Sequence, residues 1–199
     1  ISIPLSVDIE RGYGNTNSEI INNIKEIIQE GAVGINIEDG ILEKKELSDM
    51  NEQCNLIQEI SKIKDELGVD FVINARTDSF WLQTCKTKDE QLSQAIKRGN
   101  KYLKAGADCI FVPGLLEIEE IEILVQHIKG PINIITTPSS PSVKELQKLG
   151  VARVSTGSGP VRASFAKIKK ISNELKKDGT YNNIYKTTIA YDKINYIFK

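Results

Sequence analysis

The segment "IIQEGAVGINIED" at residues 27–39 carries the clearest signal of the fold class. A helix-like run ends at Gly31, and an apolar run rich in β-branched residues then leads into Glu38 and Asp39. Glycine just past a helix can take the left-handed conformation that satisfies the last helical carbonyls. A continuous apolar strand is what a parallel sheet buried on both faces requires. The stretch therefore indicates a helix followed by a buried parallel strand.

The same pattern returns along the chain. It is found in "IKDELGVDFVINART" (63–77), "YLKAGADCIFVPG" (102–114) and "LQKLGVARVSTG" (146–157), and "HIKGPINIITTP" (127–138) repeats it through Gly130 and Pro131. Apolar residues at helical spacing fill the segments between. The patterns predict six strands, at 3–9, 33–38, 70–76, 108–113, 131–137 and 152–156. Strands that alternate with helices in this way are typical of an α/β fold with a parallel sheet.

Six parallel strands fit either an open doubly wound sheet or part of a barrel. Polar residues follow most of the strands, and a barrel builds its site from strand ends all round one rim, whereas an open sheet uses one switch point. We therefore predict a (β/α)8 TIM-type barrel over residues 1–178 and a C-terminal helical tail at 179–199. A complete barrel takes about 250 residues, so the first two β/α units, roughly 60–80 residues before Ile1, are expected to be absent.

The composition argues against several classes of function. The 199 residues carry 26 Lys+Arg and 27 Asp+Glu, a net charge of -1 that gives no basic surplus for nucleic acid or an anionic membrane. The sequence shows no apolar run near the ~20 residues of a transmembrane helix and no signal-peptide pattern. The three cysteines, at 54, 85 and 109, suggest neither a disulfide framework nor a metal knuckle, which indicates a reducing, cytoplasmic setting.

Two carboxylates stand two residues apart in "SVDIERGYGN" (6–15). Side chains two apart on a strand share a face, so Asp8 and Glu10 can converge, and Glu38 would arrive from the next strand. Three carboxylates with no His or Cys nearby describe a site for a hard cation, Mg2+ or Mn2+. The alternative is that these acids pair with lysines or cap the following helix.

Other candidate site residues lie near the same strand ends. Arg76 ends the strand in "VINART", and its guanidinium is suited to two-point binding of a carboxylate or phosphonate, although it could instead form a structural ion pair. Tyr13, between two glycines, is a candidate phenol that protonates or positions the substrate. Gly12 would let the backbone approach a ligand. We assign Gly12 and Asn133, with Arg76, to substrate binding.

Taken together, "SVDIERGYGN", "GAVGINIEDG", "VINARTD", "GADCIFVPG" and "LGVARVSTG" resemble the isocitrate lyase/phosphoenolpyruvate mutase superfamily, and most closely its phosphoenolpyruvate-mutase-like branch. The resemblance covers roughly residues 3–170. It implies an α/β barrel whose Mg2+ is held by acids that match Asp8, Glu10 and Glu38. It also implies that Arg76 grips the substrate's carboxylate or phosphonate. Members cleave or rearrange C–C or P–C bonds next to an α-oxyacid through an enolate stabilised by metal and arginine.

The loop after Asp39 departs from the family's pattern. The family's lyases carry K-K-C-G-H here, with a catalytic cysteine, whereas "GILEKKELSDMNEQC" (40–54) has Glu-Leu after Lys44 and Lys45. This argues against isocitrate and methylisocitrate lyase activity. The loop pattern of the mutases and phosphonopyruvate hydrolases is not clearly matched either. The family's first two strands, which supply a further Asp and a Ser-Gly segment, have no counterpart in this sequence.

The sequence leaves three functions open. The leading one is a Mg2+-dependent lyase or mutase-like enzyme on a small α-keto or 2-hydroxy acid, oxaloacetate-like ahead of phosphonopyruvate-like. The second is another metal- or Lys-dependent barrel aldolase, with Lys44 or Lys45 as the base. The third is a catalytically silent fragment or structural subunit. Because C-terminal helices of the family pack on or swap with a neighbouring subunit, the apolar tail predicts a homo-oligomer, a dimer or tetramer.

Overall fold

The structure, a computed structural model, describes residues 2–82, 85, 87–114 and 116–197. The chain forms two compact units, Ile1–Ser155 and Thr156–Lys199. This division by compactness does not test the domain boundary predicted at residue 178, which stays a prediction. The expectation of absent strands refers to Ile1, which lies outside the described residues. The last two residues of the predicted tail lie outside them as well.

The first unit is built on a six-stranded parallel sheet in the order β1-β2-β5-β6-β7-β8, which curls into half of a barrel. The strands are β1 (Ser6–Asp8), β2 (Gly34–Glu38), β3 (Gly40–Ile41), β4 (Glu46–Leu47), β5 (Val72–Arg76), β6 (Cys109–Val112), β7 (Ile132–Ile135) and β8 (Arg153–Ser155). β3 and β4 form a separate antiparallel hairpin. All six predicted strands are confirmed, each shorter than predicted. The register sets Glu38 at the end of β2 opposite Arg76 at the end of β5.

Eight helices lie within the described residues. They are α1 (Asn17–Gln29), α2 (Met50–Leu67), α3 (Lys88–Lys104), α4 (Ile118–His127), α5 (Val143–Leu149), α6 (Gly159–Asp178), α7 (Asn182–Tyr185) and α8 (Tyr191–Ile197). Gly68 and Gly150 end α2 and α5 with φ of 63° and 95°, as the glycine pattern predicts. Across the described part of the chain, the helices lack the combination of length and apolarity needed to cross a membrane.

The core of the first unit lies where the helices pack on the sheet. Its fully buried side chains include Ile24, Ile35, Ile37, Ile57, Ile60, Ile73 and Ile110. Burying a side chain of this size contributes about 1.5–3 kcal/mol relative to leaving it exposed. The apolar strands and helix faces therefore form a well-packed frame, and the polar residues that follow the strands are held at its edge.

In the second unit, one acid joins α6 to α7. Glu174 accepts hydrogen bonds from the hydroxyl of Thr180 at 2.6 Å and from the backbone N–H groups of Asn182 and Asn183, each at 2.7 Å. Gly179, with φ of 65°, ends α6 and lets the chain turn back to make these bonds. A buried carboxylate satisfied in this way fixes the turn between the two helices.

Candidate active site

Arg76 is held between two carboxylates at the carboxyl end of β5. Its Nη1 lies 2.9 Å from Oε2 of Glu38, and its Nε donates to Oδ1 of Asp78 at 2.7 Å. The guanidinium carbon also lies 5.9 Å and 5.8 Å from the ring centroids of Trp81 and Phe111. These contacts fix the guanidinium plane. Because the group has further N–H donors, it can still bind a substrate anion.

Glu38 lines a cavity of about 290 Å3 at the same edge of the sheet. Glu10, Tyr13, Gly40 and Glu43 also line it. Burial of the Glu38 side chain, which is 6% exposed, raises its pKa to about 7 against the opposing effect of its ion pair with the β5 arginine, and nearby carboxylates raise it further. A carboxyl group perturbed in this way, at a cavity, is a mark of a functional site.

The segment after β1 leaves strand geometry earlier than the sequence predicts. β1 ends at Asp8, and Glu10 has a left-handed backbone with φ of 49°, so the two acids do not follow strand alternation. Instead, Oδ1 of Asp8 accepts the Glu10 N–H at 3.1 Å, and Ile9 is buried. A tight turn in which the Gly12 N–H donates to the Ile9 carbonyl at 2.6 Å explains the change. Tyr13 is left-handed as well, with φ of 53°; such residues are typical of functional sites.

The acids predicted to bind a metal influence one another electrostatically. Partial desolvation and the charges of Glu10, Asp8 and Glu38 raise the pKa of Tyr13. Within the described residues, no group of three or more His, Cys, Asp or Glu side chains is arranged to hold a metal ion. The donor chemistry nevertheless fits a hard cation, because all the donors are carboxylate oxygens and a divalent ion would offset their mutual repulsion. Metal binding by Asp8, Glu10 and Glu38 therefore stays a prediction.

Five predicted site residues are absent from the described lining of this cavity: Asp8, Gly12, Lys44, Arg76 and Asn133. Gly12, with φ of 96°, packs so closely on α1 that an added Cβ would collide with the side chain of Ile20. Asn133 is buried in β7 and donates from Nδ2 to a serine hydroxyl of β8 at 3.0 Å. Lys44 is exposed in the β3–β4 hairpin, 3.7 Å from the Glu46 carboxylate. Their assigned roles stay predictions, and the observed contacts account for each residue structurally.

A buried polar cluster behind Glu38 was not predicted from the sequence. Oδ2 of Asp39 accepts from Nη1 of Arg98 at 3.1 Å and from the Tyr102 hydroxyl at 2.6 Å, and Oδ1 accepts the Asp78 N–H at 2.9 Å. Arg98 and Tyr102 stand four residues apart on α3, so they share one face of the helix. The available signal was an arginine within the apolar stripe of α3, a position where arginine is rare unless it is paired.

Comparison with known proteins decides the family. The family model described as phosphoenolpyruvate phosphomutase matches residues 1–176. The chain belongs to this family. An uncharacterised protein of Mycobacterium tuberculosis (strain CDC 1551 / Oshkosh) is 35% identical over 161 residues, which is 81% of this chain and 57% of that protein. The 2-methylisocitrate lyase of Escherichia coli (strain K12) is 28% identical over 210 residues, 98% of this chain and 68% of the lyase.

Solved structures agree with the sequence comparison. A provisionally assigned phosphonomutase from Burkholderia cenocepacia J2315 superposes with a TM-score of 0.82 at 33% identity, covering 87% of this chain and 70% of that one. The homologues are thus lyases and phosphonomutases of the isocitrate lyase/phosphoenolpyruvate mutase superfamily, which confirms the resemblance. The chain spans little more than half, 57%, of the length of the mycobacterial relative.

Proposed function

We propose that the protein is a Mg2+-dependent lyase or mutase-like enzyme that acts on a small α-keto or 2-hydroxy acid. The observation that carries this proposal is Arg76 fixed between Asp78 and Glu38, the second of which lines the cavity. A preset guanidinium beside carboxylates whose charges repel one another can hold an oxyacid anion next to a cation. The similarity to a 2-methylisocitrate lyase over 98% of the chain supports C–C chemistry, and the similarity to a phosphonomutase over 87% of the chain keeps P–C chemistry as the alternative.

The residues of the site divide the work. Arg76 would bind the substrate carboxylate, and Asp8, Glu10 and Glu38 would hold the cation. Bound there, a divalent cation would supply positive charge next to a developing α-oxyanion. Because its pKa is raised, the phenol of Tyr13 stays protonated at neutral pH and can donate to the substrate. Since the hairpin has Glu-Leu in place of the Cys-Gly-His of the family's lyases, an oxaloacetate-like substrate is favoured over methylisocitrate.

Thermal unfolding with Mg2+, with oxalate and with both tests the site without assuming a substrate. A ligand that binds only the folded protein raises the unfolding midpoint by mass action. We expect a rise that needs both ligands and that is lost in Glu10→Gln. Glu26→Gln, which changes an exposed acid on α1 outside the cavity, is the matched control and should keep the rise. No rise in the unmodified protein would favour the catalytically silent alternative.

Product analysis separates the enzymatic alternatives. Incubation with oxaloacetate and Mg2+ should release pyruvate and CO2 faster than Mg2+ alone does, whereas a phosphonomutase would instead convert phosphonopyruvate. A barrel aldolase that uses Lys44 would be trapped on its substrate by borohydride. The exposed position of Lys44 and its pairing with Glu46 support the metal-dependent route.

We also propose that two further β/α units complete the half-barrel by pairing with its edge strands, β1 and β8.

Exposed apolar side chains in the second unit support the proposal of a homo-oligomer. Phe165, Tyr185 and Tyr191 are 65%, 73% and 82% exposed. Light scattering of the protein and of Phe165→Ser tests this assembly, and a monomer at all concentrations would contradict it. The cytoplasm stays the proposed location.

A further inference from the structure

The buried cluster behind Glu38 closes the base of the β3–β4 hairpin. Nη2 of Arg98 donates to the carbonyl of Ser48 at 2.9 Å, while Nη1 donates to Asp39 at 3.1 Å and to the Tyr102 hydroxyl at 2.9 Å. The Ser48 N–H donates in turn to the Asp39 carbonyl at 2.8 Å. One guanidinium on α3 therefore fixes both ends of the segment that follows Glu38.

The same cluster continues to Arg76. Oδ1 of Asp39 accepts the Asp78 N–H at 2.9 Å, and the Asp39 N–H donates to the Arg76 carbonyl at 3.2 Å. Asp78 then accepts from Nε of Arg76 at 2.7 Å. An unbroken series of hydrogen bonds thus runs from Arg98 on α3, through Asp39 and Asp78, to the guanidinium of Arg76, the proposed anion-binding group.

Stability alone does not explain polar residues at these positions. Asp39 is fully buried and Arg98 is 7% exposed, and a buried ion pair is often no more stabilising than apolar residues of similar volume. Burial and the charge of Asp39 raise the pKa of Tyr102, so its hydroxyl remains a donor. The cluster instead fixes the orientation of Asp39. The charged Arg98 and the neutral Tyr102 hydroxyl both donate to one oxygen of the Asp39 carboxylate, and its other oxygen accepts the Asp78 backbone N–H.

We propose that Arg98 is a positioning residue for anion binding by Arg76 and that it acts, together with Tyr102, through Asp39 and Asp78. The inference rests on the proposed function, in which Arg76 binds the substrate carboxylate. Arg98 is buried on α3 and is not among the described residues that line the cavity. It sets the orientation of Arg76, in the way that outer partners of functional ligands commonly do.

Two conservative variants and one control test the proposal. Arg98→Lys keeps the charge but loses the planar fork that reaches Asp39 and Ser48 together. Tyr102→Phe removes only a hydroxyl. In the presence of Mg2+, calorimetry at a temperature where each variant is folded should show oxalate bound roughly tenfold more weakly by Arg98→Lys. Tyr102→Phe should shift the affinity in the same direction. Lys97→Met, an exposed change one residue earlier on α3, should bind as the unmodified protein does.

A ligand-free measurement separates this inference from the proposed function. The Nε–H of Arg76 donates to Asp78. In both variants its NMR signal should therefore shift and its proton should exchange faster with water, and in Lys97→Met both should stay unchanged. If the unmodified protein binds no oxalate, the proposed function fails, and the Nε–H signal alone decides the positioning role. Lower unfolding midpoints with unchanged oxalate affinity and an unchanged Nε–H signal would overturn the inference. If Arg98→Lys does not fold, Tyr102→Phe gives the same two readouts.

Discussion

Two glutamates with nearly the same exposure, Glu38 at 6% and Glu174 at 8%, have opposite properties. Hydrogen bonds lower the pKa of Glu174 to about 2, first that of the Thr180 hydroxyl and then those of two backbone N–H groups. Burial raises the pKa of Glu38 to about 7, and neighbouring acids add to the effect, while Arg76 opposes it. Three donors meet the Glu174 carboxylate, whereas among the described residues Arg76 alone meets the Glu38 carboxylate, where burial is the first cause of the raised pKa.

The difference separates a structural acid from a candidate functional one. Glu174 is satisfied within the chain and has no need of an outside partner. Glu38 shares one cation, Arg76, with Asp78 and lies among like charges at a cavity, so its environment favours a further positive charge. The following experiments test how far this contrast holds.

The largest effect should come from a third buried acid, Asp39, which is next to Glu38 in the chain but is satisfied as Glu174 is. Arg98→Met leaves the Asp39 charge buried without its cation. It should lower the free energy of unfolding by about 3–5 kcal/mol. Urea denaturation at pH 7 measures the loss, and Lys97→Met should stay within about 0.5 kcal/mol of the unmodified protein. A loss as small as that of the control would show that Asp39 does not depend on the guanidinium.

The charge of Glu10 contributes to the raised pKa of Glu38, and the turn that contains Glu10 packs closely on α1. Gly12→Ala should cost about 1–2 kcal/mol for the positive φ and a further 1–3 kcal/mol for the collision with Ile20. Gly31→Ala is a matched control, because its φ of 99° is close to the 96° of Gly12 and nothing lies within 4 Å of the added Cβ. Chemical denaturation of both variants isolates the collision. Equal losses of stability in the two variants would mean that Ile20 on α1 moves aside without an energetic penalty.

Glu38→Gln should stabilise the metal-free protein at alkaline pH. The folded pKa of about 7 lies above the unfolded value of about 4.3, so ionisation costs stability as pH rises from about 4.5 through 7. The variant lacks this cost. With EDTA present, we expect a gain on the order of 1–3 kcal/mol at pH 8 and almost none at pH 4. A variant less stable than the unmodified protein at pH 8 would show that the Arg76 pair outweighs burial.

Glu174 should give the smallest effect, with the opposite dependence on pH. Its folded pKa of about 2 lies below the unfolded value of about 4.3, so its contribution is present above about pH 4.5 and disappears as pH falls to about 2. Glu174→Gln should therefore reduce the amount of stability that the protein loses as the pH falls. Carboxyl NMR titration reports the pKa directly, and Thr180→Val should raise it. Titration near 4 in the unmodified protein would contradict the assignment.

The parallel sheet was predictable because its signals are local. Gly68 and Gly150 end helices, and the apolar runs after them form strands. Glutamate and arginine at the ends of β2 and β5 were also predictable, since a buried core has no use for Glu38 or Arg76 at a strand end unless they act or pair there. Both do pair, and the register sets them opposite each other.

The remaining features depend on contacts that no local pattern contains. Strand alternation placed Asp8 and Glu10 on one face, but the Gly12–Ile9 turn rotates Glu10 into a left-handed backbone. Arg98 meets an acid 59 residues away in the chain. The catalytic role of Lys44 rests on residue type alone, and it stays a prediction for a side chain that lies exposed in the hairpin.

The hydrogen bond between Asp39 and Ser48 makes residues 40–47 a segment that can be replaced as a unit. With both ends of the hairpin fixed from α3, its length and side chains can change at a modest cost in loop-closure entropy and without moving Glu38. A change in this segment therefore reaches the cavity through Gly40 and Glu43, whereas Arg76 is held by contacts outside the segment. For protein engineering, hairpins grafted between Asp39 and Ser48 offer a direct way to reshape the cavity on this scaffold.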